Sequence, residues 1–462
     1  MSSRVLVIVG IMVVYLIIML IIGIRGRKYS ASNKDVMTAA GQGTMLLVVG
    51  SYLGSHLGNG VVVGGAQNGA MYGIGGLWYG AGSAFSYLLF AVVLAKLIYK
   101  KGYLTLPDIL AEHYGDKVTA VLIAVLHCGA MIGMIAGQII AGKLLFEYIG
   151  LPGTLGAMIT LLIVICYCAM SGLWGVMMTD VIQTSVILVV TVVSIFWIMS
   201  QGGFDMMSSV LPASSYELVP FDAETMIMMF GPGMLYGLIS ALSYQRTVSC
   251  KEEKTARLAP VIAGVIILGF AVLPVLIGMY GRALWPEAEA STIIFKVLME
   301  QFPPVLGGLM VACICAAVMS TCDGQLLAGS ANIVNDIYLK VINPDGHSDE
   351  KKLTRLTTIS TVVMGIIAML ISLSFTMMVP LLSLCYSLLN SGALVMVMGA
   401  IFWKKSTKEG AIASFVVGVG LTLLNYFHVV TLPYASVLPL VPAAIVFVIV
   451  SLMTQPKEQA AV

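Results

Sequence analysis

Gly50-Ser51-Tyr52-Leu53-Gly54-Ser55-His56-Leu57-Gly58-Asn59-Gly60 sits in the middle of an otherwise apolar stretch. A run of small and polar residues at such a place weakens a helix and leaves backbone groups seeking partners. Gly231-Pro232-Gly233, followed by Gly237, repeats the defect further along the chain. Either stretch alone also reads as helix packing through small residues. A pair of Gly/Pro-interrupted spans in corresponding positions instead points to the central site of a transporter.

The rest of the chain fits that reading. Of its 462 residues, 59% are hydrophobic and 10% are charged, with a mean hydropathy of +1.00. A water-soluble domain carries about a quarter charged residues, so this inventory calls for a bilayer as solvent. Crossing hydrocarbon takes about 20 helical residues. Stretches of that kind predict thirteen spans, at 5–24, 44–66, 75–99, 118–147, 153–170, 176–200, 225–245, 258–280, 305–337, 357–377, 379–403, 410–427 and 434–453. The first is too long for the apolar core of a signal peptide and has no small-residue cleavage site after it, so it is expected to stay as a helix.

Positive loops remain cytoplasmic, and alternate loops carry 20 of the 24 lysines and arginines. That side holds the clusters around Arg25 to Lys34, Lys96 to Lys117, Arg246 to Arg257, Lys340 to Arg355, Lys404 to Lys408, and Lys457. Arg4, Lys143, Arg282 and Lys296 fall on the other. A multi-pass protein of the cell membrane is expected, its N-terminus outside and its C-terminus cytoplasmic. A net charge of +2 gives no basis for a nucleic-acid partner. The partners to expect are the lipid bilayer and a small-molecule solute. The eight cysteines, Cys166, Cys168, Cys313 and Cys315 among them, show no repeated metal-ligand spacing and read as packing residues rather than disulfides.

The two interrupted spans are the second and the seventh. Five is odd, so the halves they begin enter the membrane with opposite topology. In the ninth span, Ala317, Ser320 and Thr321 are related by i, i+3 and i+4 and share one helix face. One carbonyl and two hydroxyl oxygens converge there. Sodium is a hard cation that takes oxygen ligands, and a broken helix opposite would add free carbonyls. The plainer reading has both hydroxyls bonded back to their own helix. Asp180 and Asp323 are carboxylates at membrane depth, where charge is expensive and functional by default. Asp180 also reads as a helix-start residue at the cytoplasmic interface. His56, His127, Gln138, Tyr236, Tyr244, Tyr386 and Asn390 are further polar groups at depth.

Four segments carry a resemblance over essentially the whole chain: Gly50 to Gly76, Lys101 to Asp108 continuing to Gly115, Ser171 to Gln183, and Ala316 to Leu327 continuing to Tyr338. In this order they resemble the sodium:solute symporter family, with a pattern nearest its choline, proline and pantothenate branches. The resemblance implies an all-α polytopic fold, the LeuT-like 5+5 inverted repeat, with one extra helix before the core and two after it. The expected division is 1–43 for the extra helix and a cytoplasmic linker, 44–224 and 225–428 for the repeats, and 429–462 for the final helix and tail.

The resemblance further implies a sodium ion held by the carbonyls of Gly54, Leu57 and Ala317 and the hydroxyls of Ser320 and Thr321. A second ion in some members uses the aspartate matching Asp180 and hydroxyls matching positions 323 and 324. Here those positions are Asp323 and Gly324, so Asp180 and Asp323 become a possible second ion or proton site. Solute contacts would fall at His56, Gly58, Val61, Gly80, Ser83 and Ser240. The choline branch places tryptophans at positions held here by His56, Gly133 and Ser240, so the aromatic cage for a quaternary ammonium is missing. The expected function is sodium-coupled symport of a small polar organic solute by alternating access, not enzymatic. Proton coupling on the same fold and an intramembrane aspartyl enzyme are the alternatives weighed.

Overall fold

The computed structural model describes residues 3–26, 39–115, 117–168, 173–343 and 349–455. Arg27, Lys28, Lys34, Lys457, and Ser171 and Gly172 of the third resembling segment lie outside the described residues, as do the side chains of Cys166 and Cys168. The described chain is helical throughout. Among the described residues, eight helices are long and apolar enough to cross a membrane, one bent pair is so when taken together, and four shorter apolar helices accompany them.

After α1 (Ser3–Gly26), the first interrupted span forms as two helices, α2 (Met45–His56) and α3 (Asn59–Tyr72). Gly73, at φ +58°, then turns the chain into α4 (Trp78–Val93). Short α5 (Ala95–Lys101) and α6 (Leu106–Tyr114) precede α7 (Lys117–Tyr148), α8 (Gly153–Cys168) and α9 (Leu173–Ser200). Helix α10 (Gly203–Val210) lies in the long loop that follows.

The second series begins with α11 (Ala223–Tyr236) and α12 (Ala241–Val248), which meet at 42°. The sequence placed this break at Gly231 to Gly237, but the helix runs through Pro232 and gives way over Gly237–Ile239, at Ser240. The Pro232 carbonyl accepts from the Asn390 side chain at 2.9 Å, which ties this stretch of helix to a distant part of the chain. Next come α13 (Glu253–Phe270), α14 (Val272–Leu284), α15 (Pro304–Ala331), α16 (Glu350–Ser372), α17 (Met378–Leu389), α18 (Val395–Phe402), α19 (Lys408–Tyr426) and α20 (Leu440–Thr454).

Burial ranks these helices. Almost every residue of α15 is buried, including all of Ala316 to Ala331, as expected of a helix surrounded by others. Helices α2, α7 and α9 pack around it, whereas α19 and α20 pack on each other at the periphery and expose Val416, Ile445 and Leu452. The described cysteines 128, 250, 313, 315, 322 and 385 are free.

Two charged residues depart from their expected places. Arg246, counted among loop cations, is wholly buried. Lys143 is buried too, its Nζ donating to the carbonyls of Leu373 at 3.1 Å and Phe375 at 3.0 Å, just past the end of α16. Both are held by oxygens that hydropathy does not register.

Candidate ion and solute site

The break between α2 and α3 is made by Leu57 (φ −78°, ψ 33°) and an extended Gly58 (ψ −177°). Leu57 still donates its N–H to the Leu53 carbonyl at 2.7 Å. Beyond it the ladder stops: the N–H of Asn59 goes to Gln138 Oε1 at 2.9 Å, and those of Val61 and Val62 go to the Gly58 carbonyl at 3.0 and 3.1 Å. Among the described residues, no backbone N–H reaches the carbonyls of Gly54 and Leu57. These oxygens are buried acceptors without their helical donors, which is costly unless something else binds them.

Helix α15 faces this break. A methyl group added at Gly58 would overlap Thr321 Oγ1, so only glycine permits this approach of backbone to hydroxyl. The Thr321 hydroxyl is buried and makes no hydrogen bond, while Ser320 Oγ reaches the Ala317 carbonyl only at 3.4 Å. The expectation that both hydroxyls turn back on their own helix therefore fails for Thr321 and is weakly met by Ser320. Thr321 of α15 thus stands against the break with its hydroxyl free, and oxygen atoms are the ligands a hard monovalent cation takes.

The two aspartates have different surroundings. Asp180 lies inside α9, wholly buried, and is not an interfacial helix-start residue. Its Oδ2 accepts from Ser51 Oγ at 2.6 Å and lies 3.8 Å from Arg246 Nη2. Gly54 is packed on the same carboxylate: a Cβ there would lie 2.8 Å from Oδ1. Asp323 is buried with Oδ1 accepting the Gly324 N–H at 2.6 Å. A cationic partner for Asp180 was not anticipated from sequence.

Of the six solute positions, His56 and Ser240 end facing a common polar cluster. His56 Nδ1 is hydrogen-bonded to the Tyr87 hydroxyl, which also donates to the Tyr52 carbonyl at 2.8 Å. The His56 ring is 6.1 Å from that of Tyr236, which stacks on Tyr386 at 4.6 Å. The Tyr236 hydroxyl lies beside Ser240 and Gln325, and the Tyr236 and Ser240 oxygens are both buried. The remaining positions show packing contacts. Gly58 is spent on the approach to Thr321, Gly80 packs against Ala271 and Val61, and Ser83 accepts through its carbonyl from Ser86 at 2.8 Å. Gln325 escaped the sequence reading, although it lies four residues after Thr321 and so on the same helix face.

Comparison with known proteins identifies the family. The sodium:solute symporter family profile matches residues 36–418. The chain is 27% identical over 333 residues to the sodium/pantothenate symporter of Haemophilus influenzae, covering 70% of this chain and 68% of that one. It is 25% identical over 456 residues to the high-affinity choline transporter 1 of Caenorhabditis elegans, covering 91% and 78%. Among solved structures, a substrate-bound, outward-open Na+-coupled sialic acid symporter superposes with a TM-score of 0.81 at 16% identity, covering 98% of this chain and 99% of that one. The fold is thus the inverted-repeat LeuT fold, and sodium is a co-substrate rather than a resident cofactor. This chain belongs to the sodium:solute symporter family: it is a multi-pass membrane protein, not an enzyme, and couples sodium to the movement of a small solute.

Proposed function

We propose that the mobile sodium ion binds where α2 breaks, coordinated by the carbonyls of Gly54, Leu57 and Ala317 and the hydroxyls of Ser320 and Thr321. One observation carries this reading: two break carbonyls without backbone donors stand in the same buried region as a Thr321 hydroxyl with no partner. The solute then lies between the two breaks, against His56, Ser240, Tyr236, Tyr386 and Gln325. Alternating access moves the α2/α3 and α11/α12 crossings against their neighbours and exposes the pair of ligands to each side in turn.

None of these five side chains is a carboxylate, a lysine or an arginine. Relatives are named for pantothenate, which carries a carboxylate, and for choline, a quaternary ammonium. A cluster of hydroxyl, amide, imidazole and aromatic groups favours a neutral or zwitterionic polar solute instead, held by hydrogen bonds and ring stacking.

The same reading places the N-terminus outside and the C-terminus in the cytoplasm. Positive loops gather at one end, where Lys100 pairs with Glu253 and Lys340 with Asp108. At the other end Trp78 Nε1 donates to the Leu218 carbonyl, within a long loop free of lysine and arginine from Gly202 to Thr225. The first repeat spans 44–224. A boundary at 428 gives the second repeat a sixth crossing, so we close it at Phe402, leaving α19 and α20 as appended helices.

A thermal-shift screen of purified protein against small polar metabolites, with and without sodium, tests this function. A ligand whose stabilisation requires sodium names the solute and shows the coupling. Stabilisation by the same ligand to the same extent in potassium contradicts it.

A further inference from the structure

A buried charge network crosses four helices beside the proposed ion site. Arg246 is among the largest wholly buried side chains in the protein. It lies on α12, past the second break, and its Nε donates to Ser51 Oγ of α2 at 3.0 Å. The Ser51 hydroxyl in turn donates to Asp180 Oδ2 of α9 at 2.6 Å, and the Arg246 guanidinium stands 3.8 Å from that same oxygen. Both charged side chains have zero exposure. On the fourth helix, α15, Arg246 Nη2 lies 3.0 Å from where a Cβ of Gly324 would be.

This arrangement flanks the ion site from two directions. Asp180 Oδ1 presses on Gly54, whose carbonyl is one proposed ligand, and Arg246 presses on Gly324, three residues after Thr321. Neither Asp180 Oδ1 nor Arg246 Nη2 has a hydrogen-bond partner, so each presents an unspent charge lobe within about one helical turn of a proposed ligand residue. A carboxylate buried alone beside a cation site would itself recruit a cation, because an unpaired buried charge is strongly unfavourable. Arg246 supplies that cation from within the chain, and the pair sums to zero.

Building on the sodium site proposed above, we infer that Arg246 is a resident counter-cation for Asp180 that holds the number of mobile sodium ions at one and sets the affinity for it. Arg246 is a positioning residue that touches neither ion nor solute. It acts through charge, so its removal and the removal of Asp180 have opposite effects on sodium.

Binding of 22Na+ to purified full-length protein, with bound ions counted per chain at saturation, tests this. Wild type binds one ion. Arg246→Gln frees the Asp180 carboxylate to recruit a second ion and tightens sodium binding by about tenfold or more, whereas Asp180→Asn leaves the guanidinium unopposed and weakens it by about as much. The double variant D180N/R246Q keeps one ion at an affinity within about threefold of wild type. Two ions per wild-type chain overturn the inference. So do single variants that shift affinity in the same direction with no restoration in the double, the pattern of a packing defect. If a single variant does not fold, the wild-type count and the charge-neutral double decide. Thr321→Ala separates this inference from the site it rests on: a bound ion indifferent to that change refutes the ligand assignment, while the opposed signs at 180 and 246 still identify the counter-ion.

Discussion

The side-chain oxygen of Gln138 accepts the backbone N–H of Asn59 at 2.9 Å, taking the place that the Ser55 carbonyl holds in an unbroken helix. This bond anchors the start of α3 to α7 and keeps the break open. Gln138→Leu leaves a buried N–H without an acceptor, at a cost of about 1–3 kcal/mol. The expected result is a lower Tm and weaker sodium-dependent stabilisation, read by thermal shift with and without sodium. Gln138→Asn retains a neutral amide acceptor and keeps more of that stabilisation. Equal behaviour of the two variants would remove Gln138 from the account.

The contact of His56 with the Tyr87 hydroxyl fixes the ring that faces Tyr236. Tyr87→Phe removes the hydrogen bond with little change of shape, and Tyr386→Ala removes one face of the Tyr236 stack. Both weaken solute binding, Tyr386→Ala by about 1 kcal/mol or more beyond lost area. Sodium affinity in the absence of solute changes little in either. Titrating the solute found by the sodium-dependent screen against each variant measures this. A solute affinity unaltered in both places the solute elsewhere.

At the end with the positive loops, Lys340 Nζ lies 2.7 Å from both Asp108 Oδ1 and Asp336 Oδ1. Asp108 also closes the capping box of α6, accepting from the Thr105 N–H at 2.9 Å. One lysine therefore ties α6 to the continuation of α15. It is partly exposed, so the pair contributes about 1 kcal/mol. Lys340→Met sets two carboxylates against each other and loosens this end. Hydrogen exchange over Leu106–Tyr114 should rise severalfold, and undiminished protection would show the tie to be incidental.

How far the sequence reached follows from which signals it carries. Span positions and the first break were legible, because hydropathy and the run from Gly50 to Gly60 are local properties. The second break was misplaced by about one turn: the helix runs through Pro232 and gives way over Gly237–Ile239, and no local signal separates a proline that breaks a helix from one that it accommodates. Helical spacing puts Ala317, Ser320 and Thr321 on one face, while their assignment as ion ligands came from the resemblance. Arg246 was read as a loop cation because its neighbours Lys251, Lys254 and Arg257 are loop cations. Nothing local distinguishes it, and its burial depends on Asp180 and Ser51, 66 and 195 residues away in sequence. Gly58, Val61 and Gly80 took their solute roles from resemblance. At Gly58 the Thr321 hydroxyl, and at Gly80 the Ala271 methyl, occupies the room a Cβ would take.

Thr321 holds the hydroxyl on which the account turns, since it is buried, unpartnered and packed on the break. The most direct measurement is the dissociation constant of 22Na+ for purified wild type, Thr321→Ala and Thr321→Ser. Removing one oxygen ligand from a small cation site is expected to weaken binding by about tenfold or more, on the order of 1.4 kcal/mol. Thr321→Ser, which keeps the oxygen, restores binding to within about threefold. Wild-type affinity in Thr321→Ala would contradict the assignment of the sodium site to the break.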